Sequence, residues 1–223
     1  MIRNWVEDLL QLTDQDWRYY SFSRDPLIGK ITPAMRSEHG QKTVACAQNI
    51  AHRMRTEYPT QTPEQIASLL GVKIQNRKIV ADFGYTMYAW YEEPDTIVIS
   101  HENLDLADKL IIEEKLNEFV GNVATADVVI GHELYHFLEQ TVPDVYSTLE
   151  LITLWKIGPF KNRSRIVSLE EIGAMTFTQE LMRLNCSPYI FEFIMLCALN
   201  IQKAKKLHDY LMDLQTVQRG LPC

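Results

Sequence analysis

Between Ser37 and Tyr58 the apolar residues Val44, Ala47, Ile50, Ala51 and Met54 recur at spacings of three and four. That stripe predicts an amphipathic helix with one buried face, ended by Pro59. A shorter helical stretch over Asn4 to Leu12 precedes it, and Asp25-Pro26 and Thr32-Pro33 predict a turn-rich passage between the two. Thr62-Pro63-Glu64-Gln65 has the form of a helix start, with Thr as cap, Pro at the first position and an acid in the first turn. Gly71 ends that helix.

Past Gly71 the pattern changes to short runs of β-branched and aromatic residues, Val72 to Gln75, Tyr85 to Trp90 and Thr96 to Ile99. These predict strands, the last two joined through Glu93-Pro94-Asp95. The helical period returns from about Asn103, with Leu104, Ala107, Leu110, Ile111 and Phe119 on one side, and Gly121-Asn122 interrupts it. A helix over Thr125 to Thr141 follows, and Pro143 bars its extension. Helical segments near Ser168 to Leu184 and Pro188 to Leu214 complete the chain. The expected class is α+β, mostly helical with a small β-sheet. A single domain over 1–223 is expected, with an N-terminal helical region (1–58), a core (59–186) and a C-terminal helical region (187–223).

Composition narrows the function classes. The chain has 223 residues, 46% of them hydrophobic and 23% charged, which excludes a disordered or low-complexity protein. A formal net charge of -7 without a basic run argues against nucleic acid as a partner. No apolar stretch approaches the roughly 20 residues of a membrane span, and Arg3, Glu7 and Asp8 break up the N-terminus where a signal peptide would be apolar. Cys46, Cys186, Cys197 and Cys223 show no Cys-x-x-Cys spacing, so a reducing cytoplasmic setting is expected, without thiolate metal ligation.

The chemistry lies in His132-Glu133-Leu134-Tyr135-His136. On a helix, residues four apart differ by only about 40° in direction and about 6 Å in height, so two imidazoles converge on one ion. Glu133 stands about 100° around from His132, placed to face a water beside that ion without being a ligand. The pattern predicts zinc held by His132 and His136, with Glu133 as the general base of a hydrolysis. The helix is apolar nearly all round, through Val128, Val129, Ile130, Leu134, Phe137 and Leu138, so ionisable groups on it require a reason. Gly131, just before the first histidine, suggests a close neighbour such as a packed strand.

A catalytic zinc needs a third protein ligand. Downstream acids are Glu139, Asp144, Glu150, Glu170, Glu171 and Glu180, and a donor from a separate packed helix closes the coordination sphere better than one on the same helix. Ser168-Leu169-Glu170-Glu171 opens such a helix, so Glu171 serves either as a ligand or as the acid of a capping box. Glu170 stands in reserve.

These residues resemble the glutamate-zincins, and within them the ImmA/IrrE family of small metallopeptidases. The resemblance covers roughly residues 60 to 185: Pro63 to Val72, the hairpin Tyr85 to Ser100, the His132-Glu133-x-x-His136 helix, and Glu171-x-x-Ala174-x-x-Phe177-x-x-x-Leu181-Met182. It implies a zincin-like core whose small sheet packs on the active-site helix, with Glu171 as third zinc ligand and a protein or peptide as substrate. The chain departs from the family pattern at Gly173, Met175 and Arg183, where a Glu, an Asn and a Pro are usual. A protein-binding module that keeps the fold without catalysis is the alternative. Ile66 to Val72 is also similar to the first half of a helix-turn-helix, but Ile79 to Gly84 reads as strand and turn where a recognition helix is needed. Tyr85, Tyr88 and Tyr91 lie where a hairpin would border a peptide cleft, but packing on a half-buried strand is the expected job of these aromatic residues.

Overall fold

The computed structural model of the chain describes residues 1–78 and 88–220, with side chains through residue 216. Its N-terminal helices are α1 (Ile2–Leu9), α2 (Asp14–Ser23), α3 (Pro33–Glu57) and α4 (Pro63–Leu69). The three strands that follow are β1 (Lys73–Asn76), β2 (Ala89–Glu92) and β3 (Thr96–Ile99). Next come α5 (His101–Glu113), α6 (Asn117–Val120), α7 (Thr125–Thr141), α8 (Tyr146–Leu149), β4 (Leu151–Ile157) and β5 (Phe160–Arg165). The chain closes with α9 (Ser168–Met182), α10 (Tyr189–Leu199) and α11 (Ile201–Gly220). Helices hold 64% of the described residues, so the class is α+β with helices dominant. No helix among the described residues is long and apolar enough to cross a membrane.

Side-chain caps start α2, α3, α4 and α11. Thr62 accepts from the Gln65 N–H, and the Gln65 side chain accepts from the Thr62 N–H, which closes the expected capping box on α4. The same logic starts α3 at Pro33 under Thr32, earlier than the apolar stripe indicated. Where a turn-rich stretch was expected, Thr13 and Asp16 form a second capping box and open α2. The expected helix from Pro188 to Leu214 is two helices, because Asn200 leaves helical geometry and its side chain caps α11 through the Lys203 N–H. Gly71, at φ +80°, ends the α4 turn.

The main sheet has the order β1-β3-β2, with β1 parallel and β2 antiparallel to the fully buried β3. One core cluster joins Ile97 and Ile99 of this sheet to Val6, Ile50, Leu104, Leu134, Phe177, Ile194 and Leu211. Within it, α7 is packed by α4, α5, α9, β2 and β3, which is why its sequence is apolar on almost every side. A second, isolated ribbon, β4 paired with β5, was not foreseen from the sequence. Its root packs Ile152 and Ile166 into a satellite cluster with Phe22, Ile31, Leu169 and Ile172. Of the expected strand from Tyr85 to Trp90, residues 85–87 lie outside the described residues, as do Ile79 to Gly84 and Cys223. Cys46, Cys186 and Cys197 are free thiols.

Candidate metal centre

The α7 helix starts where Asp108, from α5, accepts from the Thr125 N–H at 3.0 Å. Two turns on, His132 and His136 point the same way, and their Nε2 atoms stand 3.3 Å apart. Opposite them, α9 delivers Glu171, whose Oε2 is 3.7 Å from His132 Nε2. Donor atoms of His132, His136 and Glu171 all lie within 4.8 Å of one another, a set able to hold a metal ion. Glu170 is not part of this set: its carboxylate is turned towards Arg165, 3.9 Å away.

The capping box expected from Ser168 and Glu171 does not form. Val167 is the residue that caps α9, Ser168 is already helical, and the Ser168 Oγ has no hydrogen-bond partner. The helix start is held from afar instead, by the buried carboxylate of Asp25, which accepts from the Ser168 N–H at 2.8 Å and from the Leu27 N–H at 2.7 Å. An acid at a helix N-terminus offsets the unpaired N–H groups there. Glu171 is thereby released from local duty, one turn into a helix whose first residue is fixed.

Glycines set the approach of the two metal-facing helices. A Cβ on Gly131 would sit 3.2 Å from Thr178 Cγ2, so the close neighbour of Gly131 is α9 and not a strand. A Cβ on Gly173 would overlap the Tyr135 ring, 2.6 Å from its Cε1. Tyr135 is fully buried and cannot swing away. Gly173→Ala is therefore expected to cost about 1–3 kcal/mol of stability by overpacking, measured by urea unfolding, and an unchanged midpoint would contradict this packing.

Tyr135 heads a hydrogen-bond chain that ends on the His136 ring of the donor set. Its hydroxyl lies 3.3 Å from Ser147 Oγ, the Ser147 hydroxyl donates to Glu139 Oε1, and Glu139 Oε2 accepts from His136 Nδ1–H at 2.8 Å. Glu139, the sequence candidate for a ligand on the same helix, is buried and holds the His136 ring instead. Holding the proton on Nδ1 leaves His136 Nε2 as the free lone pair of the neutral ring. Burial lowers the pKa of His136, but the hydrogen bond to Glu139 and the charges of Glu133, Glu139 and Glu171 outweigh it and lift it to about 9. A cation arriving at Nε2 therefore displaces a proton.

Glu133 is buried beside this group and has no hydrogen-bond or ion-pair partner among the described residues. It lines the two cavities that flank the donor set, of about 250 Å³ and 400 Å³. The smaller is walled by Val128, Val129, Phe191 and Met195, with Arg24 and Glu192 at one side. Burial raises the Glu192 carboxyl, and Arg24 works against that rise. The larger runs along β2 past Trp90 and Tyr91 to Thr148 and Arg165. Among the described residues β2 is an edge of its sheet, and Ala89, Trp90 and Tyr91 of this strand line the same cleft. Tyr91 lines this larger cavity and packs edge-on against Phe137, whereas Tyr88 lines the smaller one.

Asp25, Ser147 and Tyr135 are the contributors that reading the sequence missed. Asp25-Pro26 signals a turn and nothing about a helix more than 140 residues away, and only the folded chain brings it there. No protein-family model, no curated protein and no solved structure matches this chain.

Proposed function

We propose that this chain is a zinc-dependent metallopeptidase of the glutamate-zincin kind. The observation that carries the reading is the convergence of His132, His136 and Glu171 beside the buried carboxylate of Glu133. The donor set suits zinc in particular. Two nitrogens each at about 2.0–2.1 Å from a tetrahedral ion stand about 3.4 Å apart, close to the spacing of the two Nε2 atoms. Two imidazoles and one carboxylate leave a position open, as a catalytic zinc requires and a structural one does not.

When bound, zinc supplies Lewis-acid polarisation of a carbonyl and makes water a nucleophile near neutral pH. His132, His136 and Glu171 would hold it, and Glu139 keeps the His136 ring in the tautomer that would ligate. Glu133 takes the proton of the attacking water and returns it to the leaving amine. The edge strand β2 lines the cleft, and an extended polypeptide added along it would lie across the three ligands.

The test is hydrolysis of a mixed peptide library by the zinc-loaded protein, with products sequenced by mass spectrometry. Cleavage that ceases on chelation and returns with zinc supports the reading. A zinc-loaded protein that cleaves nothing points to a binding module on the same fold.

A further inference from the structure

The β4–β5 ribbon has two chemically different faces. Across it, Leu151 faces Arg165, Thr153 faces Arg163, and Lys156 faces Lys161, while Ile152 faces Ser164, Trp155 faces Asn162, and Ile157 faces Phe160. The register shift between Thr153 and Trp155 inserts Leu154 as an extra residue, which moves Trp155 to the side of Ile152. All four cations of the ribbon, Lys156, Lys161, Arg163 and Arg165, thus share one face, and Ile152, Trp155, Ile157 and Phe160 share the other.

The apolar face is buried only at its root. Ile152 is 5% exposed, whereas Trp155, Ile157 and Phe160 are 49%, 71% and 70% exposed beyond the body of the protein. Gly158, at φ +58°, turns the tip. On the other face Arg165 is near Glu170, while Lys156, Lys161 and Arg163 have no acidic partner among the described residues. The ribbon carries no Asp or Glu, in a chain where the remaining 18 basic residues stand against 29 acidic ones. At its base, Arg165 lines the same cleft as His132, Glu133 and Glu171.

We propose that this arm docks an extended polypeptide segment in which acidic and apolar residues alternate, and that this segment belongs to the protein delivered to the metal centre. The second clause rests on the metallopeptidase reading; the docking itself does not. Neither outer edge of the two-stranded ribbon is paired among the described residues, so a third strand has backbone groups to bond to. An added strand sends successive side chains to opposite faces, acids to the cationic side and apolar residues to Trp155, Ile157 and Phe160. A lipid surface would take one face only, and the acidic remainder of the chain would oppose an anionic bilayer.

The experiment is fluorescence anisotropy with a labelled synthetic peptide of about ten residues alternating glutamate with leucine and phenylalanine. It uses the full chain and needs no turnover. Wild type should bind it, and Lys156→Glu/Lys161→Glu/Arg163→Glu should weaken binding at least tenfold, as should Trp155→Ser. A peptide of the same composition with its acids and apolar residues in separate blocks should bind at least tenfold more weakly. Unchanged circular dichroism and zinc content exclude misfolding of the variants. Equal binding by wild type and variants, or no binding of the alternating peptide, overturns the proposal. So does self-association, or co-sedimentation with phosphatidylserine vesicles, that the charge reversals abolish while peptide binding stays unaffected. Should the metallopeptidase reading fail, the library is not cleaved but the alternating peptide still binds.

Discussion

Glu133→Gln is expected to slow peptide hydrolysis about 10²–10⁴-fold while zinc content stays at the wild-type level. Glutamine keeps the size of the side chain and loses the capacity to take a proton. Glu133 lies outside the three-residue donor group, so its replacement leaves the grip on a metal intact. It is buried with no hydrogen-bond or ion-pair partner among the described residues, so no described salt bridge is broken and stability is expected to change little. Steady-state kinetics on a cleavable peptide, with metal analysis of the same samples, reads both quantities. Equal rates would remove Glu133 as the base, and loss of zinc would make it a ligand.

Glu139→Ala is expected to weaken zinc binding about 10–100-fold, the usual cost of removing a carboxylate that orients a ligating histidine. The substitution frees the His136 ring to rotate and to place its proton on Nε2, and it removes the acceptor of the Ser147 hydroxyl, leaving that hydroxyl only the Tyr135 contact. Glu139→Gln should be milder, because its amide oxygen still accepts from His136 Nδ1–H. Competition against a chromophoric zinc chelator measures the difference. Wild-type affinity in Glu139→Ala would show that the His136 orientation is set elsewhere.

Local signals were legible wherever one helix or strand decides its own fate. The bounds of α7 follow from its apolar pattern and Pro143, and α4 follows from Thr62-Pro63 and Gly71. The same kind of signal stands at Thr32-Pro33 and at Thr13 with Asp16, where weaker apolar periodicity obscured α2 and the first turn of α3. The β4–β5 ribbon had its own signal in Ile152, Thr153 and Trp155 followed by Gly158-Pro159, but it has too little buried surface to show a clean alternation. Leu154, the bulged residue, breaks the period of two at mid-strand.

At the candidate site the two histidines were legible because their convergence depends on helix geometry alone. The choice between Glu171 and Glu170 depends on the rotation of α9 against α7, which Gly131 and Gly173 permit and Asp25 anchors. None of those contacts is local in sequence. Glu139 shows the same limit: a carboxylate one turn past His136 is chemically suited to bind or to orient, and the Ser147 hydroxyl in the folded chain turns it to the second task.

Metal analysis of the purified protein by mass spectrometry tests the central claim most directly. The wild type should carry about one zinc per chain, and His132→Ala, His136→Ala and Glu171→Ala should each carry far less under the same conditions. A wild type that takes up no zinc, or histidine variants that retain it in full, would contradict the account.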